Sequence, residues 1–268
     1  MEEGVLMTIY AVEYIRDADE GEMYAQLFRC SDGNIYVVKL MSNPVGKKAL
    51  FNELLSYRLG RLLNLSLAAG EIVVFSRERF SNPALLDEMG IQDGPHFGSL
   101  YIENALEYRS DMLPYCTNSN MLPEIIVFDH WITNYDRRLE PQNLLAVGEG
   151  PYELVLIDHA HAFNGPDWTI DAIIPWTYGD NIIWGRIYQE FVPFMDNEDP
   201  FGSALDKLES ITDQEIASAF GKDLPPEWQV SKEEVKVLLF HLITRKNRLR
   251  KVIQRLKVYF PIWNSLGN

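Results

Sequence analysis

The stretch Thr133–Phe163, TNYDRRLEPQNLLAVGEGPYELVLIDHAHAF, decides the fold and concentrates the chemistry. It opens on a polar, turn-forming loop, NYDRRLEPQ. Asn143–Val147 and Tyr152–Ile157 then read as two short β-rich runs across Gly148-Glu149-Gly150, the pattern of a hairpin. Asp158-His159-Ala160-His161 follows directly. A hairpin brings its ends together, so Asn143 and Asp158 are expected side by side, with Asp136 at the mouth of the same loop. Two hard oxygen ligands suit magnesium, which keeps much of its own hydration and takes further oxygens from phosphates. Asp136 is then left as a base or hydroxyl-orienting carboxylate. Each aspartate also has a plain alternative, as an Asx-turn or capping residue of its loop.

Upstream, Met121–Thr133 suits a mostly buried helix, with Pro123 where a first turn tolerates it. From Tyr24 to Met41, YAQLFRC and IYVVKLM flank a turn at Ser31-Asp32-Gly33-Asn34, a second hairpin whose later strand carries Lys39. A lysine among Val37, Val38 and Leu40 must exit at a cleft or find a partner. Phe51, Leu54, Leu55, Leu59, Leu62 and Leu63 recur at helical spacing, so Ala49–Leu63 is an amphipathic helix despite Gly60, and its Glu53 is a candidate partner for Lys39. Ile72–Phe75 and Phe97–Ile102 are strand-like, separated by a polar insert containing Pro83, Gly90, Gly94 and Pro95. The first hundred or so residues are therefore mostly sheet with one prominent helix.

Downstream the pattern is helical. Thr212 with Glu215, and Ser231 with Glu234, match the capping box, and Pro225-Pro226 separates the two helices they start. The last helix is expected to run to about Tyr259. Its basic residues, Arg245 through Lys257, form either a solvated face or a contact with an acidic neighbour or anionic partner. Together these patterns predict an α+β chain, mostly sheet with one helix in its first part and mainly helical in the remainder.

With 268 residues, 47% hydrophobic, the chain can bury a large core. Its 24 basic and 39 acidic residues give a net charge of −15, which disfavours general binding to nucleic acid or anionic lipid. Cys30 and Cys116 have no zinc-site spacing and form no disulfide framework, which fits a reducing compartment. Neither a secretory leader nor a membrane span is recognisable, so a soluble cytoplasmic protein is expected.

Phosphoryl transfer to a hydroxyl needs a cation on the nucleotide phosphates, an acid to hold that cation, oxygen ligands for magnesium and a carboxylate facing the hydroxyl. The chain offers all of them in workable order. The strings IYVVKL, FNELLSYRLGRLL, TNYDRRLEPQNLL and LIDHAHAF resemble the lysine strand, glutamate helix, catalytic loop and metal loop of HipA-like kinases, distant relatives of protein and phosphoinositide kinases. The resemblance covers roughly Asp32 to Phe163. It implies a two-lobed protein-kinase-like α+β fold, with a small mainly antiparallel sheet lobe carrying one helix over 1–104 and a larger mainly helical lobe over 105–268. It also implies an ATP- and magnesium-dependent kinase, acting on serine or threonine of a protein, with Asp136 as catalytic aspartate and Asn143 and Asp158 as magnesium ligands. Lys39 would contact the phosphates and Glu53 would hold Lys39. Adenine would lie at the lobe junction near Tyr101–Asn104, with Tyr101 and Glu103 among the nucleotide-binding residues.

Two departures from the family pattern matter. Asn143 lies seven residues beyond Asp136, where the common kinase loop has about five, so Gln142 is a rival ligand. The phosphate-covering turn, Asp17-Ala18-Asp19-Glu20-Gly21-Glu22, has one glycine and four carboxylates, which suits phosphate poorly. The alternative this opens is a non-catalytic kinase-fold binding module. A further alternative is metal-dependent hydrolysis on Asp158, His159 and His161, with His130 as a possible fourth ligand.

Overall fold

The computed structural model describes residues 8–18, 23–139 and 143–265. Strands β1 (Ile9–Asp17), β2 (Gln26–Cys30), β3 (Ile35–Lys39), β4 (Gly70–Phe75) and β5 (Gly94–Leu100) close a small barrel in the order β1-β2-β3-β5-β4. The closing pair, β1 with β4, is parallel and the other pairs are antiparallel. β1 is an addition to the expected set, although IYAVEYI is rich in the β-branched and aromatic residues of a strand. The β2–β3 turn is held by Asp32, whose carboxylate accepts from the Asn34 amide at 3.1 Å. Inside the barrel Phe28 meets Phe75 edge to face, centroids 4.8 Å apart. The polar insert also folds: α2 (Pro83–Glu88) buries Leu86 completely with the barrel core.

Helix α1 (Lys48–Leu62) belongs to the larger core, where Leu50, Phe51, Leu54, Leu55 and Leu59 are buried. Gly60 is tolerated in it because a Cβ there would meet Leu67 Cδ1 at 2.8 Å. Beyond β5 a linker through Tyr101–Ala105 reaches a second sheet, β6 (Leu106–Glu107), β7 (Leu144–Val147) and β8 (Glu153–Leu156), in that order. The β7–β8 register pairs Leu144 with Leu156, as the hairpin pattern requires. Helix α3 (Leu122–Trp131) precedes this hairpin and is buried at Leu122 and throughout Ile125–Trp131.

The remainder forms α4 (Ile170–Tyr178), α5 (Arg186–Met195), α6 (Gly202–Ser210), α7 (Asp213–Ala219), α8 (Lys232–Ile253) and α9 (Pro261–Ser265). Both capping boxes form, Thr212 with Glu215 and Ser231 with Glu234, each contributing about 1 kcal/mol to its helix. α8 ends at Ile253 and a 3-10 segment continues over Gln254–Tyr259, earlier than the expected α-helical end. Four basic residues of α8 find acidic neighbours within the chain, whereas the buried Arg245 donates to the carbonyls of His130 and Trp176. Arg250 binds Asp206 and Glu209 at 2.6 and 2.8 Å, Arg248 and Lys251 share Asp180, and Lys246 binds Asp213. Among the described residues no helix is long and apolar enough to cross a membrane.

Candidate active site

Lys39 ends β3 and is 7% exposed. Its ammonium meets Glu53 Oε1 and lies 2.8 Å from Asp158 Oδ1. Glu53 sits on the buried side of α1 and uses its second oxygen to accept the His159 amide at 2.9 Å. One ammonium therefore serves two carboxylates in a largely dry site. Burial disfavours the charged lysine, but Asp158 and Glu53 outweigh it and hold its pKa above the ordinary lysine range. Burial also opposes ionisation of Asp158, yet Lys39 holds that carboxyl well below the usual range. Glu53 goes the other way, because its desolvation exceeds the pull of Lys39 and the Asp158 charge adds to the rise. Of the three side chains only Asp158, at 37% exposure, reaches solvent.

Asp136 and Asn143, from the polar loop, form the second half. Asn143 donates from Nδ2 to Asp136 Oδ2 at 2.7 Å, and the Ile157 amide donates to Asn143 O at 3.2 Å. The hairpin ends thus meet as expected, with Asp136 against them. Gln142, the rival ligand, lies outside the described residues. So does most of the acidic turn; its first residue, Asp17, accepts from Tyr14 and Gln26, both at 3.1 Å.

Arg137, assigned no role from sequence, joins the two halves. It is fully buried, with Nε 3.0 Å from Asp129 Oδ2, and Nη1 donating to the carbonyls of Asn143 and Ile157. Its Nη2 donates to His159 Nε2 at 2.7 Å. Arginine cannot accept, so His159 must present a bare Nε2 there and carry its proton on Nδ1. Burial and the adjacent guanidinium keep that imidazole neutral. Asp129 is completed by Tyr188 Oη at 2.8 Å and Asn134 Nδ2 at 3.1 Å. The only hint in the sequence is position, immediately after Asp136; burial of a charged side chain has no periodic signature.

Gly185 brings a second chain segment flush against the loop. A Cβ there would stand 2.6 Å from Arg138 O, and the Ile187 amide donates to the same oxygen at 3.1 Å. Beside Asp136 a depression of about 240 Å³ is lined by Tyr135, Arg138, Leu139, His161, Asn164 and Gly165. Tyr101 donates its amide to Ile35 O at 2.9 Å, which ties the linker to the barrel, and Glu103 is exposed in that linker.

The histidines do not assemble as metal ligands. His130 contacts Ile126 O at 2.7 Å and accepts from the Ile183 amide at 2.9 Å, and His159 is spent on Arg137. Among the described residues no three His, Cys, Asp or Glu side chains converge as a metal cluster. The donors that Asp158 and Asn143 offer are hard oxygens, a set that fits magnesium completed by phosphate and water.

A family model described as HipA-like kinase matches residues 11–258. The chain belongs to the HipA-like kinase family. As a HipA-like kinase it falls in a family of kinase-type phosphotransferases, and the match reaches well beyond Asp32–Phe163. No curated protein matched it. Among solved structures, this HipA-like chain is similar to the Helicobacter pylori proinflammatory kinase CtkA. The TM-score is 0.62 at 12% identity, covering 96% of this chain and 99% of that one, a likeness of fold. The Golgi casein kinase with Mn/ADP bound matches at a TM-score of 0.48 and 16% identity, over 93% of this chain and 73% of that one.

Proposed function

We propose that the chain is an ATP- and magnesium-dependent kinase that phosphorylates serine or threonine hydroxyls of a protein. The observation that carries this is one connected set of contacts, from Lys39 and Glu53 through Asp158, His159 and Arg137 to Asn143 and Asp136. In this reading residues 1–104 and 105–268 are the two lobes, and the linker with Tyr101 and Glu103 receives adenine. Lys39, held by Glu53, orients the phosphates. Asp158 and Asn143 hold magnesium, which when bound offsets the negative charge that develops on the transferred group. Asp136 faces the depression beside the catalytic loop, orients the acceptor hydroxyl there and accepts its proton.

Magnesium-dependent stabilisation by ATP tests the nucleotide half. At ATP about 100-fold above its dissociation constant, stability rises by about 2.7 kcal/mol. Melting curves with and without magnesium are expected to show that rise in wild type, with its magnesium-dependent part lost in Asp158→Ala. No shift in wild type at millimolar ATP would refute the site.

A further inference from the structure

Asn52 stands beside Glu53 on α1 and is fully buried. Its Nδ2 donates to Ala160 O at 2.7 Å and to Ala162 O and Gly165 O, both at 3.0 Å. An amide nitrogen has two protons, so three carbonyls share them. The direction of the amide is set by Trp168, whose Nε1 donates to Asn52 Oδ1 at 2.8 Å. With the oxygen facing an indole N–H, only the NH₂ can face the carbonyls.

These contacts fall on a backbone that does not hold its shape unaided. Asp158, Phe163 and Asn164 all have positive φ, 53°, 57° and 73°, and Gly165 follows at 123°. Side chains other than glycine resist this region, and such conformations persist only where surrounding contacts over-determine them. Part of the support comes from the end of α3, where Ile132 O and Thr133 O accept from the amides of Phe163 and Asn164 at 2.7 and 3.3 Å. The rest comes from α1. Glu53 takes the amide of His159 while Asn52 gives protons to Ala160, Ala162 and Gly165, so adjacent helix residues grip the turn by its donor and its acceptors. α1 is itself braced from the helical lobe. Lys48 binds Glu234 at 2.5 Å and Trp168 O at 2.8 Å, and Arg58 binds Asp223 at 2.6 Å.

We infer that Asn52 is a positioning residue that fixes the turn after Asp158 to α1, so that the metal-binding carboxylate and the Lys39–Glu53 pair are set by one helix. The inference rests on the proposed magnesium role of Asp158. Residues that orient metal ligands from behind cost about 10–100-fold in metal affinity or activity when removed. Asn52→Ala is therefore expected to raise the magnesium concentration for half-maximal activity at saturating ATP by about 10-fold or more. Trp168→Phe, which keeps an aromatic side chain but removes the N–H that orients the amide, is expected to shift it less in the same direction.

Hydrogen exchange of the nucleotide-free chain reads the clamp without activity. The amides of residues 159–165 are expected to exchange faster in both variants, with α8 and the barrel unchanged. Unchanged exchange in that turn overturns the inference. So does an unchanged magnesium midpoint accompanied by faster exchange throughout, which would make Asn52 a stability residue only. If Asn52→Ala does not fold, Trp168→Phe decides by the same two readings. A wild type without magnesium-dependent ATP binding refutes the metal role itself, while exchange still decides whether Asn52 holds the turn.

Discussion

Asp136→Asn is expected to lower the rate of phosphoryl transfer by about 10²–10⁴-fold and to leave ATP binding largely intact. The substitution keeps the size of the side chain and an oxygen that can accept from Asn143, whose Nδ2 lies 2.7 Å from Asp136 Oδ2. It removes the negative charge and the basic oxygen that would take the hydroxyl proton. Among the described residues no hydrogen bond or ion pair joins the altered group to Lys39, Glu53 or Asp158, so the proposed phosphate and metal side of the site keeps its arrangement. Transfer of labelled γ-phosphate, set beside calorimetric ATP binding, separates these effects. Transfer within about tenfold of wild type would remove Asp136 from its role, because one positioned acid–base group is worth more than that.

Arg137→Met is expected to cost about 3–5 kcal/mol of stability, the penalty for stranding one member of a buried ion pair. Methionine fills comparable space but donates nothing. Asp129, fully buried and already pushed up in pKa by desolvation despite Arg137, loses its counter-charge. His159 Nε2 and the Ile157 carbonyl lose the guanidinium as donor at the same time, and the Asn143 carbonyl is left with the Ile157 amide alone. In a chain of this size the melting temperature should fall by roughly 10 °C. Adding Asp129→Asn to Arg137→Met should recover part of the loss, since the stranded charge is then gone. A single variant that melts within about 2 °C of wild type, well below the expected fall, would show that the network holds the two halves of the site together only weakly.

The legible parts of the chain were those whose cause is local. The β7–β8 hairpin follows from two apolar runs across a glycine-bearing turn, and its ends meet because hairpin ends must. Both capping boxes are written in four-residue spacings and both form. Lys39 among apolar neighbours needed a partner, and Glu53 one helix later is that partner. What escaped depends on residues distant in sequence. Arg137 is buried because Asp129 of α3, Asn143 and Ile157 at the two ends of the β7–β8 hairpin, and His159 just beyond it converge on its side chain. Asn52 is explained by carbonyls more than a hundred residues away. Asp180, Asp206 and Glu209 pair with Arg248, Arg250 and Lys251 of α8, and nothing in its own periodicity announces them. His130 illustrates the reverse case, a residue with ligand chemistry whose ring is used by two backbone groups.

The central claim, one magnesium and nucleotide site shared by Lys39, Glu53, Asn143 and Asp158 with Asp136 beside it, is tested most directly by a crystal structure with magnesium and a non-hydrolysable ATP analogue. Lys39 should leave Asp158 for the phosphates while keeping Glu53, and the metal should take oxygens from Asp158 and Asn143. A nucleotide whose phosphates lie away from Lys39, or a metal that touches neither Asp158 nor Asn143, would contradict it.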